Sequence, residues 1–153
     1  MAKIKIVSIA KKERDEYSIL CDNFSKMSSK FGQIEDIEVF NNNIAKGQKE
    51  SEMSAKNEYT KSLEKYLGKY NIALDPKGKK VDSFHFLEIL KDKNEVNFFI
   101  GGAYGFGDDF LNKCNLSISL SPLTFGYKVA KVILFEQIYR GLSLLNNHPY
   151  HKN

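Results

Sequence analysis

The sequence predicts an α/β fold built on a mostly parallel sheet. Short apolar runs with strand character alternate with segments of helical period along the whole chain. The stretches between them are brief and rich in turn residues. The 153 residues suit a single domain, 1–153. With 42% hydrophobic and 27% charged residues, the chain can fill a sizeable core without staples.

Each element follows from its local pattern. "KIKIVSIA" (residues 3–10) alternates and then becomes apolar, which predicts a first strand running into the interior. Tyr17, Leu20, Phe24, Met27 and Phe31 are spaced 3-4-3-4, the core face of a helix. "IEDIEVF" (34–40) alternates apolar and acidic residues, a second strand with one wetter face. "NNNIAKGQK" (41–49) is polar and predicts a mobile loop. A helix follows from about Ser51 to Lys69, with Tyr59, Leu63, Tyr66 and Leu67 facing inward.

"NIALD" is a third strand, broken by the turn residues of "PKGKK". Asp82 or Ser83 can cap the helix that holds Phe84, Leu87 and Leu90. "EVNFFIGG" is a fourth strand that runs into glycines. Asp108 and Asp109 suit the positive end of a short helix. "LSISLS" is a fifth strand, and "PLTFG" turns the chain into its longest helix, about Tyr127 to Leu145.

Composition excludes several classes. The net charge of +4 tolerates a polyanionic partner without demanding one. Cys21 and Cys114 form neither a C-x-x-C pair nor a metal spacing, and they read as buried, reduced thiols of a cytoplasmic protein. No apolar run reaches 18 residues, so the expectation is no membrane span, and the N-terminus lacks a signal-peptide core. His148 and His151, three residues apart, lack a nearby carboxylate or thiol, so no metal is expected. His85, on an amphipathic helix, reads as a surface or boundary residue.

In open parallel sheets, ligands bind beyond the carboxyl ends of the strands. "LDPKGK", "IGGAYGFG" and "SLSPLTFG" stand at three such ends. Their glycines allow a ligand to approach the main chain. The glycines at 101, 102, 105 and 107 do not fit G-x-G-x-x-G, and no Lys–Ser/Thr pair makes a P-loop. There is no G-x-S-x-G or H-E-x-x-H either. What remains is an adenosine-like ligand held by main chain from three loops.

"ALDPKGK", "FFIGGAYG", "SLSPLTF" and "KVILFEQIYRGLSLLNNHPYHK", in this order and at these spacings, resemble the RlmH group of SPOUT methyltransferases. The strong match covers residues 71–152. The resemblance implies a SPOUT-type sheet flanked by helices, with a C-terminal trefoil knot. It implies transfer of a methyl group from S-adenosyl-L-methionine to N3 of a pseudouridine in helix 69 of 23S rRNA, in the ribosome. It further implies a homodimer packed largely through the last helix. The cofactor-binding residues would be Leu74, Gly101, Gly102 and the run Leu120, Ser121, Pro122, Leu123, Thr124 and Phe125. The tail of one subunit would reach the cofactor pocket of the other, with Tyr150 and His151 catalytic and Arg140 and Lys152 on RNA.

The chain departs from the common pattern at Gly126 and Tyr127, where relatives usually carry Pro-His. Lys131 and Lys152 stand where arginine is usual, keeping the charge but losing the bidentate fork. Within this reading, His151 accepts the ring proton near neutral pH. Tyr150 stacks on or hydrogen-bonds the base. Arg140 can instead pair with Glu136 four residues away on the same helix face, and His148 can cap the last helix. A non-catalytic RNA-binding protein and a SPOUT enzyme with another RNA target share these features. Calorimetry with S-adenosylmethionine separates the first from an enzyme, and mass spectrometry of rRNA from a deletion strain identifies the target.

Overall fold

In a computed structural model, which describes residues 1–152, five parallel strands form one sheet in the order β2-β1-β4-β3-β5. The elements in chain order are β1 (Ala2–Ile9), α1 (Glu16–Ser28), β2 (Gly32–Val39), α2 (Asn42–Glu50) and α3 (Glu52–Leu63). A 3-10 turn at Glu64–Tyr66 leads to β3 (Asn71–Lys80), α4 (Ser83–Leu90) and β4 (Glu95–Ile100). The chain ends in α5 (Asp108–Leu111), β5 (Leu116–Ser119) and α6 (Tyr127–Leu145).

The sheet is buried on both faces, which is why β1 and β4 read as near-continuous apolar runs. Ile4, Ile6 and Phe98 point to one face, against Phe86 of α4 and Leu134, Phe135 and Ile138 of α6. Val7, Ile9 and Phe99 point to the other, against Ile44 of α2, Tyr59 and Leu63 of α3, and Phe110 of α5. No helix among the described residues is long and apolar enough to cross a membrane.

Four expectations need correction. Residues 41–49 are not a loop, because α2 occupies them. The Asn41 side chain accepts from the Ile44 amide at 2.8 Å and starts the helix. Ile44 is fully buried, and Gly47 lies so close to α3 that an added Cβ would stand 2.9 Å from the Ser54 carbonyl oxygen. Tertiary contact thus overrides a polar, glycine-bearing local pattern. The next helix ends at Leu63, well short of Lys69.

The third correction concerns β3. It does not stop at Asp75 but continues through Lys80, with a register shift against β5 between Leu74 and Lys79. Both Leu74 and Lys79 pair with Ile118, so the four residues between them bulge out of the ladder. Gly78 sits against the β5 main chain, where a Cβ would meet the Ile118 nitrogen at 2.7 Å. The fourth concerns α1. Its core line runs through Cys21 and Ser28, with Phe24 packed beside them, one position on from the apolar stripe. Tyr17, Leu20 and Met27 are left exposed, Leu20 at 45%.

Asp82 caps α4, accepting from the His85 amide at 2.8 Å, and His85 is exposed. Both cysteines are free thiols, with Cys21 buried and Cys114 half-buried.

Candidate functional site

The three expected loops meet at one edge of the sheet. Leu74 pairs with Ile100 of β4 on one side and with Ile118 of β5 on the other. Gly101 follows Ile100 directly, and Leu120 stands two residues after Ile118. Strand register therefore brings Leu74, Gly101, Gly102 and the start of the 120–125 loop together. The sequence could only order them along the chain.

The glycine turn is set by contacts that no side chain would allow. Gly102 lies on the ring of Tyr59, where an added Cβ would fall 2.5 Å from the hydroxyl oxygen. A Cβ on Gly101 would meet the Gly105 main chain at 3.1 Å. Gly105 has φ +73°, and its amide donates to the Gly102 carbonyl at 3.0 Å to close the turn. Nothing lies within 4 Å of the point where its Cβ would be, so the turn's outer face is open. The Tyr59 hydroxyl donates to Gln48 Oε1 at 2.5 Å. Burial pushes its phenol above the ordinary value, opposed by the nearby Tyr104 and Ala103 amides. Tyr59 stays neutral and forms the floor of the turn.

The 120–125 loop is organised around Ser121. Its carbonyl accepts from the Ser119 hydroxyl at 3.0 Å, and its own Oγ accepts from the Leu123 amide at 3.0 Å. The loop stands out from the protein, with Leu123 72% exposed and Pro122 and Thr124 also exposed. The amides of Thr124 and Phe125 donate to no group among the described residues. Gly126 leaves the first turn of α6 without a side-chain cap. Lys128 in that turn is tied to Glu13 at 2.6 Å and to Asp15, the N-cap of α1, at 2.5 Å. Lys131, only 8% exposed, bonds Asp36 of β2 at 2.8 Å and lies 3.8 Å from Glu38. The residue that replaces the usual arginine thus pins α6 to the sheet edge.

The tail forms a second cluster. Arg140 Nε donates to Glu136 Oε1 at 2.8 Å, and its Nη1 donates to His151 Nδ1 at 2.9 Å. The guanidinium carbon lies 4.9 Å from the Tyr150 ring centroid. Tyr150 packs edge-on to Tyr139 at 4.6 Å, and His151 packs edge-on to Phe84 at 5.3 Å. Burial, then the Glu136 charge, raises the Tyr150 phenol above its ordinary value. The His148 amide donates to the Ser143 carbonyl at 2.8 Å, so His148 closes the end of α6 through its main chain. Its ring packs edge-on to Phe31 and lies 3.4 Å from Lys30 Nζ. Lys152 is exposed beyond the cluster.

The two clusters are separated along α6. Arg140 stands 14 residues along α6 from Gly126, which is about 21 Å at 1.5 Å per residue. The tail touches Phe31, just before β2 begins, whereas the glycine turn follows the last residue of β4. The Tyr150 ring packs on Tyr139 and Arg140, and the His151 ring on Phe84 and Arg140. The sequence places Tyr59 and Phe84 on helices but marks neither of them, nor Tyr139, as part of a site. Nothing local marks Tyr59, which is 43 residues before Gly102; the Glu136–Arg140 pair was visible from its spacing.

A parallel sheet ending in three glycine-, proline- and serine-bearing loops defines an α/β protein with its ligand site beyond the carboxyl ends of the strands. The fold matches a probable methylase family protein from Haemophilus influenzae Rd KW20 with a TM-score of 0.58, at 10% identity over 98% of this chain and 70% of that one. The family described as Predicted SPOUT methyltransferase matches residues 2–151, and the chain is an enzyme of that class. Among sequences, it is 51% identical to the ribosomal RNA large subunit methyltransferase H of Sulfurovum sp. (strain NBC37-1), over 98% of this chain and 99% of that protein. It is 51% identical to the protein of the same name from Wolinella succinogenes, over 98% and 99%. The chain belongs to the ribosomal RNA large subunit methyltransferase H family.

Proposed function

We propose that this enzyme methylates N3 of a pseudouridine in helix 69 of 23S rRNA in the bacterial cytoplasm, using S-adenosylmethionine. We propose that it works as a homodimer in which each site combines one subunit's loops with the other's tail. The names of the relatives support ribosomal RNA as the substrate. The observation that carries the dimer is the separation of about 21 Å between Arg140 and the 120–125 loop. The tail of a second chain would close it. The apolar residues exposed on α1 and α6, among them Leu20, Met27 and Val129, support such a partner. The threaded knot of the family belongs to the same reading.

The residues present fit the cofactor. Gly101, Gly102 and Gly105 keep side chains out of the turn, and Thr124 and Phe125 offer unspent amides. Leu74 and Leu120 supply apolar walls. The sulfonium supplies an activated methyl group when bound. Holding acceptor and donor in line removes several kcal/mol of the barrier, about 7–11 in favourable cases. Arginine is only ever a donor, so the Nδ1 of His151 is here an acceptor and the neutral ring carries its proton on Nε2. For His151 to take a proton, Arg140 must leave Nδ1. An RNA phosphate is a strong competitor for that guanidinium. RNA docking and readiness of the base are then one event.

Subunit mixing tests the arrangement. A Gly102→Ala dimer and a His151→Ala dimer are dissociated, mixed in equal amounts and reassociated. With tails acting in trans, half the dimers are mixed and each holds one intact site, restoring about a quarter of parental activity. With tails acting in cis, mixing restores nothing. Mass spectrometry of 23S rRNA from a deletion strain checks the target nucleotide.

A further inference from the structure

Lysines line the amino end of the sheet. Lys30 precedes β2, Lys3 lies near the start of β1, Lys91 and Lys93 precede β4, and Lys69 precedes β3. Because the strands are parallel and ordered β2-β1-β4-β3, these residues follow one another along a single rim. At about 4.8 Å between neighbouring strands, the row is roughly 14 Å wide before side chains are added.

The middle of the row is concave. Lys3, Lys69 and Lys93 share a surface cleft of about 440 Å³ with Tyr70, Asn94 and Glu95. Lys93 Nζ lies 4.5 Å from the centroid of the Tyr70 ring. Glu95 brings one carboxylate to the cleft, yet no ion pair among the described residues engages Lys3, Lys69, Lys91 or Lys93. Elsewhere, Lys56, Lys61, Lys113 and Lys128 meet carboxylates. At its β2 end the row reaches Lys30, whose Nζ is 3.4 Å from His148 of the tail. The rim and the tail therefore form one continuous basic surface.

We propose that this rim is a track for the phosphate backbone of ribosomal RNA, leading the substrate to the tail. The proposal rests on the ribosomal RNA reading above and adds the surface that reads the RNA outside the reacting nucleotide. Unpaired ammonium groups on flexible stems follow a phosphate chain without sequence preference, each releasing condensed counterions. The exposed edge of Tyr70 adds a face for a base or ribose. The modest net charge of +4 is then no obstacle, because several lysines without an ion pair stand side by side on this rim.

The test uses the full-length protein with three sets of substitutions. The rim set is Lys3→Gln, Lys69→Gln and Lys93→Gln. The control set is Lys46→Gln, Lys49→Gln and Lys61→Gln on α2 and α3, and the rescue set is Lys3→Arg, Lys69→Arg and Lys93→Arg. Binding to purified large ribosomal subunits and to 23S rRNA is measured across a salt series, together with methyl-transfer kinetics. The rim set lowers the slope of log affinity against log salt by about 2 to 3 and raises the KM for RNA about tenfold. Its kcat and its affinity for S-adenosylmethionine stay at parental values. The rescue set behaves as the parent, and the control set shifts neither slope nor KM. A rim set with the parental slope and KM, or one that matches the control set, overturns the track. A parent that binds the RNA but transfers no methyl group overturns the proposed activity instead, and the salt slopes still decide the rim.

Discussion

The guanidinium of Arg140 donates to His151 Nδ1 at 2.9 Å while its other edge holds Glu136. Two residues assigned separate tasks from sequence are one hydrogen-bonded unit. In His151→Ala, methyl transfer in a single turnover falls about 10²–10⁴-fold, the usual scale of a lost general base. The affinity for S-adenosylmethionine, measured by calorimetry, stays within about twofold of the parent, since the loops proposed to hold it are untouched. Equal single-turnover rates would remove His151 from the chemistry.

Gly102→Ala puts a methyl group into the Tyr59 ring, whose atoms stand 2.5 to 3.0 Å from the Cβ position. The turn must shift, because Tyr59 is buried and held by Gln48. Cofactor affinity falls at least about tenfold, and the chain loses about 1–3 kcal/mol of stability to overpacking. Calorimetry and urea unfolding measure the two effects. Unchanged cofactor binding would take the glycine turn out of the site.

Much of this was legible before any coordinates. The strands β1 and β4 announce themselves as apolar runs, and Asp82 names its own helix start. The helix α2 does not, because its burial depends on how Gly47 meets Ser54 in another helix. The α1 stripe was seen but its rotation was not. Rotation is decided by which neighbours α6 presents, and no local spacing records that. The loops and the tail were each visible as motifs. Their separation along α6 is a property of topology, since a parallel strand and the helix after it run in opposite directions.

Leu20→Glu combined with Val129→Glu places two carboxylates on the exposed apolar surface of α1 and α6. Neither side chain is in the core, so the helical circular dichroism is unchanged. On the proposed dimer, sedimentation velocity gives a monomer for the variant and a dimer for the parent, and methyl transfer is lost with the proposed composite site. A dimer of parental affinity would place the subunit contact elsewhere.

Lys128, through its hydrogen bond, holds the Asp15 carboxyl below its ordinary value of 3.8. The same contact holds the Lys128 amine above its ordinary 10.5, with Glu13 adding to it. A depressed carboxyl stabilises the fold above its unfolded pKa and loses that contribution as pH falls through its folded value. A raised amine does so below its unfolded pKa and loses it as pH rises through its folded value. The stability gap between parent and Lys128→Met is therefore level from about pH 5 to pH 10 and closes on both flanks. Urea midpoints across pH measure it. A gap that widened below pH 4 would contradict the pairing.

Burial pushes the Cys21 thiol up to about 12 and the Cys114 thiol up to about 11. At mildly alkaline pH neither forms thiolate in the folded protein. Alkylation of either waits for unfolding and is fast in denaturant, as mass spectrometry of labelled peptides would record. Rapid native labelling of Cys21 would mean that α1 opens far more often than its packing against α6 allows.

The strand β5 is the last to leave the ribosome and the one that covers the outer edge of β3. Until it arrives, a nascent chain carries a bare edge with its main-chain groups open to any passing strand. A protein that ended before Leu116 would keep the other four strands and lose both the serine loop and the tail. Premature termination would thus yield sticky fragments with neither half of the proposed site complete, so that competence would come only with the finished polypeptide.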